Sequence, residues 1–143
     1  MKEFMLLIKK QITDEEVVSE EFLKACENYI QALKSDGRLI SAQPIEEKGN
    51  MILSKVSATS KNSDWKISPI KETKEVIGGY YHLLAKDLDD VIIIAKANPE
   101  FVYHPQSRIE IRPLKSKEES TGYLYPNEVV EYLSFMDQIE VPF

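Results

Sequence analysis

Residues 2–9 (KEFMLLIK) carry apolar side chains on both of their alternating faces, and a strand of that kind belongs in the middle of a sheet covered on both sides. The rest of the chain must therefore supply flanking strands and cover. The apolar run Phe4 to Ile8 stops at Lys9-Lys10, short of the roughly 7–15 apolar residues of a secretory signal. No run approaches the ~18 apolar residues of a membrane span. A cytoplasmic protein is the expectation.

A helix follows. Ser19 is placed as an N-cap, with Glu20 and Glu21 near the helix N-terminus, where negative charge is favoured. Phe22, Ala25, Cys26, Tyr29, Ile30 and Leu33 recur at helical spacing and form one apolar stripe, which Asp36-Gly37 ends. Residues 38–44 and 50–58 read as two strands, joined by a hairpin-length loop that contains Gly49. Residues 59–68 are polar with a lone Trp65, and Pro69 with Lys71 to Glu75 reads as a further loop. Residues 76–85 return to strand, and the 65–85 region extends the third strand or adds one. Asp87 caps a second helix over 88–97, with Leu88, Val91, Ile92 and Ala95 on its stripe and Ile93 and Ile94 widening it. Residues 107–112 form the last strand. The order β-α-β-β-α-β predicts an α+β protein with a ferredoxin-like antiparallel sheet and two helices on one face. Residues 115–143 read as a C-terminal extension: a charged linker, then a short helix from Pro126 with Val129, Val130, Leu133 and Met136 on one side.

Composition narrows the function. A chain of 143 residues with 43% hydrophobic and 29% charged residues fits one folded domain. The net charge of −6 repels phosphate backbones and anionic lipid, so nucleic acid and membrane are not expected partners. The same element order describes RNA-recognition domains, but their aromatic strand motif is absent. Cys26 is the only cysteine, which excludes an intrachain disulfide and fits a reducing compartment. Two histidines without a supporting carboxylate signature do not make a metal site, and no cofactor is expected.

The stretch 69–113 reads P-I-K-E-T-K-E-V-I-G-G-Y-Y, then A-K-D-L-D-D, then R-I-E-I-R-P-L. Together with the opening strand and the helix ending in Asp36-Gly37-Arg38-Leu39, it resembles the YCII-related family, also called the DGPF family, over roughly residues 2–114. The resemblance implies a ferredoxin-like domain that pairs into a dimeric α/β barrel, with a cavity between the sheet and the partner. In one branch a His–Asp pair with its histidine in the first helix region is proposed as catalytic. This chain departs twice. The D-G-P-F motif falls on Ile67-Ser68-Pro69-Ile70, where only the proline is kept, and residues 10–40 hold no histidine, so Asp36 lacks that partner.

The candidate chemistry lies on strands. Alternation puts Tyr80, His82 and Leu84 on one face. His82 there is a general base or, more plainly, a hydrogen-bonded histidine at a subunit contact. Arg108, Glu110 and Arg112 share a face of the last strand, with Ile109 and Ile111 turned to the helices. Arg112 is suited to clamp a carboxylate or phosphate and Glu110 to act as base or hold Arg112. The plain alternative is an ion-pair ladder or a solvated face. His104 sits in a loop and Cys26 on the apolar stripe; both have ordinary structural readings. Gly78-Gly79 lacks the context of a phosphate loop and reads as a bulge or close backbone approach.

The expectation is a homodimer that binds a small anionic or aromatic molecule at Tyr80, His82, Glu110 and Arg112. If it is an enzyme, His82 shuttles the proton and Arg112 clamps the anion on a small organic acid or phenol. The alternative is a non-catalytic regulatory or interaction module.

Overall fold

A computed structural model describes residues 1–11, 18–46, 48–55, 64–70, 75–116 and 119. The elements are β1 (Lys2–Gln11), α1 (Glu20–Ser35), β2 (Leu39–Pro44), β3 (Asn50–Lys55), β4 (Asp64–Pro69), β5 (Glu75–Ala85), α2 (Leu88–Lys96), α3 (Glu100–Tyr103) and β6 (Arg108–Pro113). A four-stranded sheet has the order β2-β5-β1-β6, and every pairing in it is antiparallel. This α+β arrangement is compatible with the ferredoxin-like plan. β1 lies inside the sheet, as its two apolar faces require.

Two expectations are corrected. The third strand of the main sheet is β5, not the 50–58 segment. β3 instead pairs with β4 as a separate two-stranded sheet, so residues 64–69, read as polar connection within a 65–85 region that could add a strand, are a strand of their own. Its alternation of Trp65 and Ile67 with polar residues is only two apolar positions long, too short to stand out from the polar run before it. The short helix α3 was also not expected. Residues 56–58, most of the 71–75 run and the helix expected from Pro126 lie outside the described residues.

The core fills one face of the sheet. Phe4, Leu6 and Ile8 of β1 and Tyr81, Leu83 and Ala85 of β5 pack with Leu33 of α1 and Val91 and Ala95 of α2. Ile109 and Ile111 join them from β6. Both helices therefore cover the same face. The expected α1 stripe is the inward one, but on α2 Leu88 of the expected stripe is 54% exposed and Ile93 68%. Ser19 Oγ accepts from the Phe22 amide and Asp87 Oδ1 from the Asp90 amide, which caps both long helices. Gly37 follows α1 with a φ of 70°, the left-handed region that a side chain disfavours.

Gly78 and Gly79 serve both roles expected of them. The β1–β5 register shifts between Ile8 and Lys9, leaving Gly78 as the extra residue. A side chain at Gly79 would stand 3.1 Å from the Gln43 carbonyl oxygen of β2. At Gly78 it would strike the Lys10 stem, whose Cδ is 2.8 Å from the position a Cβ would take. A side chain at residue 78 would require the Lys10 stem to shift.

Two ion-pair clusters tie the elements together. Arg38 joins Asp36 after α1 (2.7 Å) to Asp90 of α2 (2.5 Å). Arg108 of β6 holds Glu75 of β5 through two bonds, 2.7 and 2.6 Å. The Arg108 bonds lower the Glu75 carboxyl below its usual range; the Lys86 amide, then Arg38, do the same for Asp90. A carboxyl depressed in the folded state stabilises the fold above its unfolded pKa and loses that contribution as pH falls through the folded value. Thermal unfolding followed between about pH 5 and pH 2 should show the melting temperature falling on the acid side. Arg108→Gln should flatten part of that fall, and an unchanged profile would remove Glu75 as a contributor.

Candidate functional site

Tyr80, His82 and Leu84 emerge on the sheet face opposite the helices, together with Met5 and Leu7 of β1 and Glu110 and Arg112 of β6. Cross-strand pairing orders them into rows, because directly paired residues point the same way. One row runs Ser41, His82, Met5, Arg112 and the next Gln43, Tyr80, Leu7, Glu110. The four expected site residues thus share a face but occupy two rows. With strands about 4.8 Å apart, His82 and Arg112 start roughly 10 Å from each other at the backbone, with Met5 between.

Their partners differ from expectation. Glu110 does not hold Arg112; its Oε1 lies 3.4 Å from the Lys9 ammonium. Glu110 pairs with Leu7, so Lys9 and Arg112 stand in the rows on either side of it, and the carboxylate turns to the Lys9 row. His82 Nε2 is 3.1 Å from Glu3 Oε1, a carboxylate the sequence reading passed over. Among the described residues Arg112 makes no ion pair, and it is exposed. Met5, Leu7, Tyr80 and Leu84 are half-buried, so the face is an apolar strip with charges at its margins.

The helix side holds a second constellation. A cavity of about 330 Å³ opens between α1, the bulged part of β5 and β2, walled by residues that include Ile8, Phe22, Cys26, Ile30, Ala42 and Tyr81. Lys10 and Glu100 stand at its polar end. Glu100 is 6% exposed, and its Oε1 lies 3.4 Å from Lys10 Nζ. Its Oε2 lies 2.8 Å from His104 Nδ1, with the Ser107 hydroxyl donating from 3.5 Å. The His104 ring sits edge-on against Phe22 at 4.7 Å. His104, expected in a solvated loop or a site, is thus held by a buried carboxylate.

Asn98, 1% exposed, accepts the Glu100 amide N–H on Oδ1. Its side chain stands near enough to the phenol oxygens of Tyr29 and Tyr81 to favour their ionised forms, yet its Nδ2 meets no partner in hydrogen-bonding geometry among the described residues. Burial dominates and raises both phenols, Tyr81 to about 12. Tyr29 donates to the Ile94 carbonyl at 2.7 Å. Burial first, then Glu100, pushes the Cys26 thiol up, with Lys10 opposing, so Cys26 is not an activated thiol. It is half-buried on the cavity wall.

Lys10 and Glu100 were missed as site residues, although for Lys10 a signal existed. The alternation of Phe4, Leu6 and Ile8 carries Lys10 onto the core face, and a charge in a core register needs an opposite charge nearby. Asp36 lines a separate groove of about 570 Å³ between α1 and α2, where Arg38 occupies its carboxylate. Among the described residues no group of three or more His, Cys, Asp or Glu is placed to hold a metal, and no helix is long and apolar enough to cross a membrane.

Comparison with known proteins agrees with this arrangement at the level of the family. No curated protein matches the chain. The profile of the YCII-related domain matches residues 3–115, which takes in every element from β1 to β6. A match over most of the chain, on a sheet whose order fits the sequence resemblance, places this protein in the YCII-related family.

Proposed function

We infer that the protein is a homodimeric small-molecule-binding protein whose ligand, a small organic anion, lies on the open sheet face between His82 and Arg112. The row that sets these two side chains on either side of Met5 carries the reading. An exposed guanidinium supplies a planar fork for a carboxylate, and Met5, Leu7 and Tyr80 supply apolar support for its body. Glu3 orients the imidazole through Nε2. When Nε2 carries the hydrogen, Nδ1 bears the lone pair that accepts a proton from a carbon or phenol oxygen of the ligand.

A second copy is the proposed cover. The β3–β4 hairpin supports this: Met51, Ile52, Leu53, Trp65 and Ile67 are all exposed, from 47% to 69%. A lone two-stranded hairpin is marginal in water, and so large an apolar surface marks a protein contact. The same observation favours the second reading, a non-catalytic interaction module.

The mass in solution, set against the 16.4 kDa of one chain, tests the dimer. Calorimetric titration with benzoate tests the site. Arg112→Gln should weaken benzoate binding by about 10- to 100-fold, the value of a charge-assisted hydrogen bond. A monomer would remove the cover. A dimer that binds neither benzoate nor other small carboxylates would leave the interaction module.

A further inference from the structure

We propose that the cavity between α1 and the β2–β5 edge is a second ligand site on the helix side of the sheet, sharing Tyr80 with the open-face site, and that it takes a compact neutral molecule with an apolar body and one hydroxyl group. Its size, about 330 Å³, is at the small end of ligand pockets, which run from about 300 to 1,000 Å³. Ile8, Phe22, Ile30 and Ala42 offer the body only apolar contact.

The polar end fixes the ligand's functional group. Glu100 lines the cavity, and a carboxylate has about four lone-pair positions. Lys10, His104 and Ser107 approach its two oxygens, which leaves acceptor capacity for a hydroxyl donor. A hydroxyl on the ligand fits this end by donating to Glu100. Net charge is disfavoured, because Lys10 and Glu100 already neutralise each other and a charged ligand would bring an uncompensated charge into a buried site.

Cys26 provides the test, since it is on the cavity wall and is the chain's only cysteine. Alkylation of the full chain by N-ethylmaleimide, read by mass spectrometry, reports access to that wall. Benzyl alcohol should slow the reaction saturably, by at least about fivefold near ten times its Kd. Toluene lacks the hydroxyl and benzoate carries a charge; both should protect at least about tenfold more weakly. Ala42→Leu, which fills the cavity from β2, should abolish protection. Should Cys26 resist alkylation altogether, backbone amide shifts of Cys26, Ala42 and Gly79 on titration with benzyl alcohol replace it as the readout. Equal protection by toluene and benzyl alcohol, or no saturable response in either measurement, would overturn the proposal. Arg112→Gln should leave the benzyl alcohol response unchanged, which separates this site from the one on the open sheet face.

Discussion

Lys10→Met is expected to lower the unfolding free energy by about 3 kcal/mol, the low end of the cost of removing one partner from a buried ion pair. The carboxylate it leaves behind, Glu100, is 6% exposed and cannot regain the hydration it gave up on folding. His104 stays at 2.8 Å and softens the loss, which is why the low end applies. Glu100→Gln keeps the shape of the side chain and removes its charge. A double-mutant cycle between Lys10→Met and Glu100→Gln, measured by urea unfolding, should then give a coupling of at least about 1.5 kcal/mol. A coupling below about 0.5 kcal/mol would mean that the two groups act independently and that the pair does not organise this end of the core.

The frame of the fold was legible because its signals are local and repeated. The two-sided apolar pattern of residues 2–9 demanded an interior strand, and β1 is one. Ser19, Asp87 and Gly37 mark helix ends by chemistry that needs no tertiary context. The faces of β5 and β6 followed from alternation alone, so Tyr80, His82, Glu110 and Arg112 were correctly gathered on one side. What alternation cannot give is register. Whether Glu110 meets Arg112 or Lys9, and whether Glu3 reaches His82, depends on how three strands slide past one another. The β3–β4 hairpin was lost for a related reason: Trp65 and Ile67 are exposed in the folded chain, and strands that bury little carry little pattern. Glu100 was invisible because its burial arises from Asn98 and Pro99 turning the chain into a single helical turn, and only the fold brings that turn beneath Lys10. The departures from the family's pattern have a physical reading too. No histidine lies in α1, yet the ring of His104 packs on Phe22 at the start of that helix, brought there from the far end of the chain.

Leu83 and Leu84 are neighbours on β5 with opposite destinations, and replacing each should separate the stability of the core from the proposed association of two copies. Leu83 is 0% exposed among Leu6, Tyr81 and the residues of both helices. Leu83→Ala removes buried volume that a sheet interior cannot close over, at a cost of about 3–4 kcal/mol. For a domain of this size that is a fall of roughly 10 °C in melting temperature. Leu84 points to the open face beside Glu3, and in the single chain it is only half-buried. Leu84→Ala should cost the isolated chain less than about 1 kcal/mol. Leu84→Asp, by contrast, places a charge in the apolar strip that a second copy would cover. Its expected effect is on mass in solution: dissociation at protein concentrations where the unaltered chain stays paired, with the melting temperature becoming independent of concentration. Loss of folding in Leu84→Asp of the same size as in Leu83→Ala would show that the two faces are not distinct, and that the open face belongs to the folding core of the single chain. An unchanged mass with an unchanged melting temperature would leave the strip facing solvent, and the ligand between His82 and Arg112 would then need no partner to hold it.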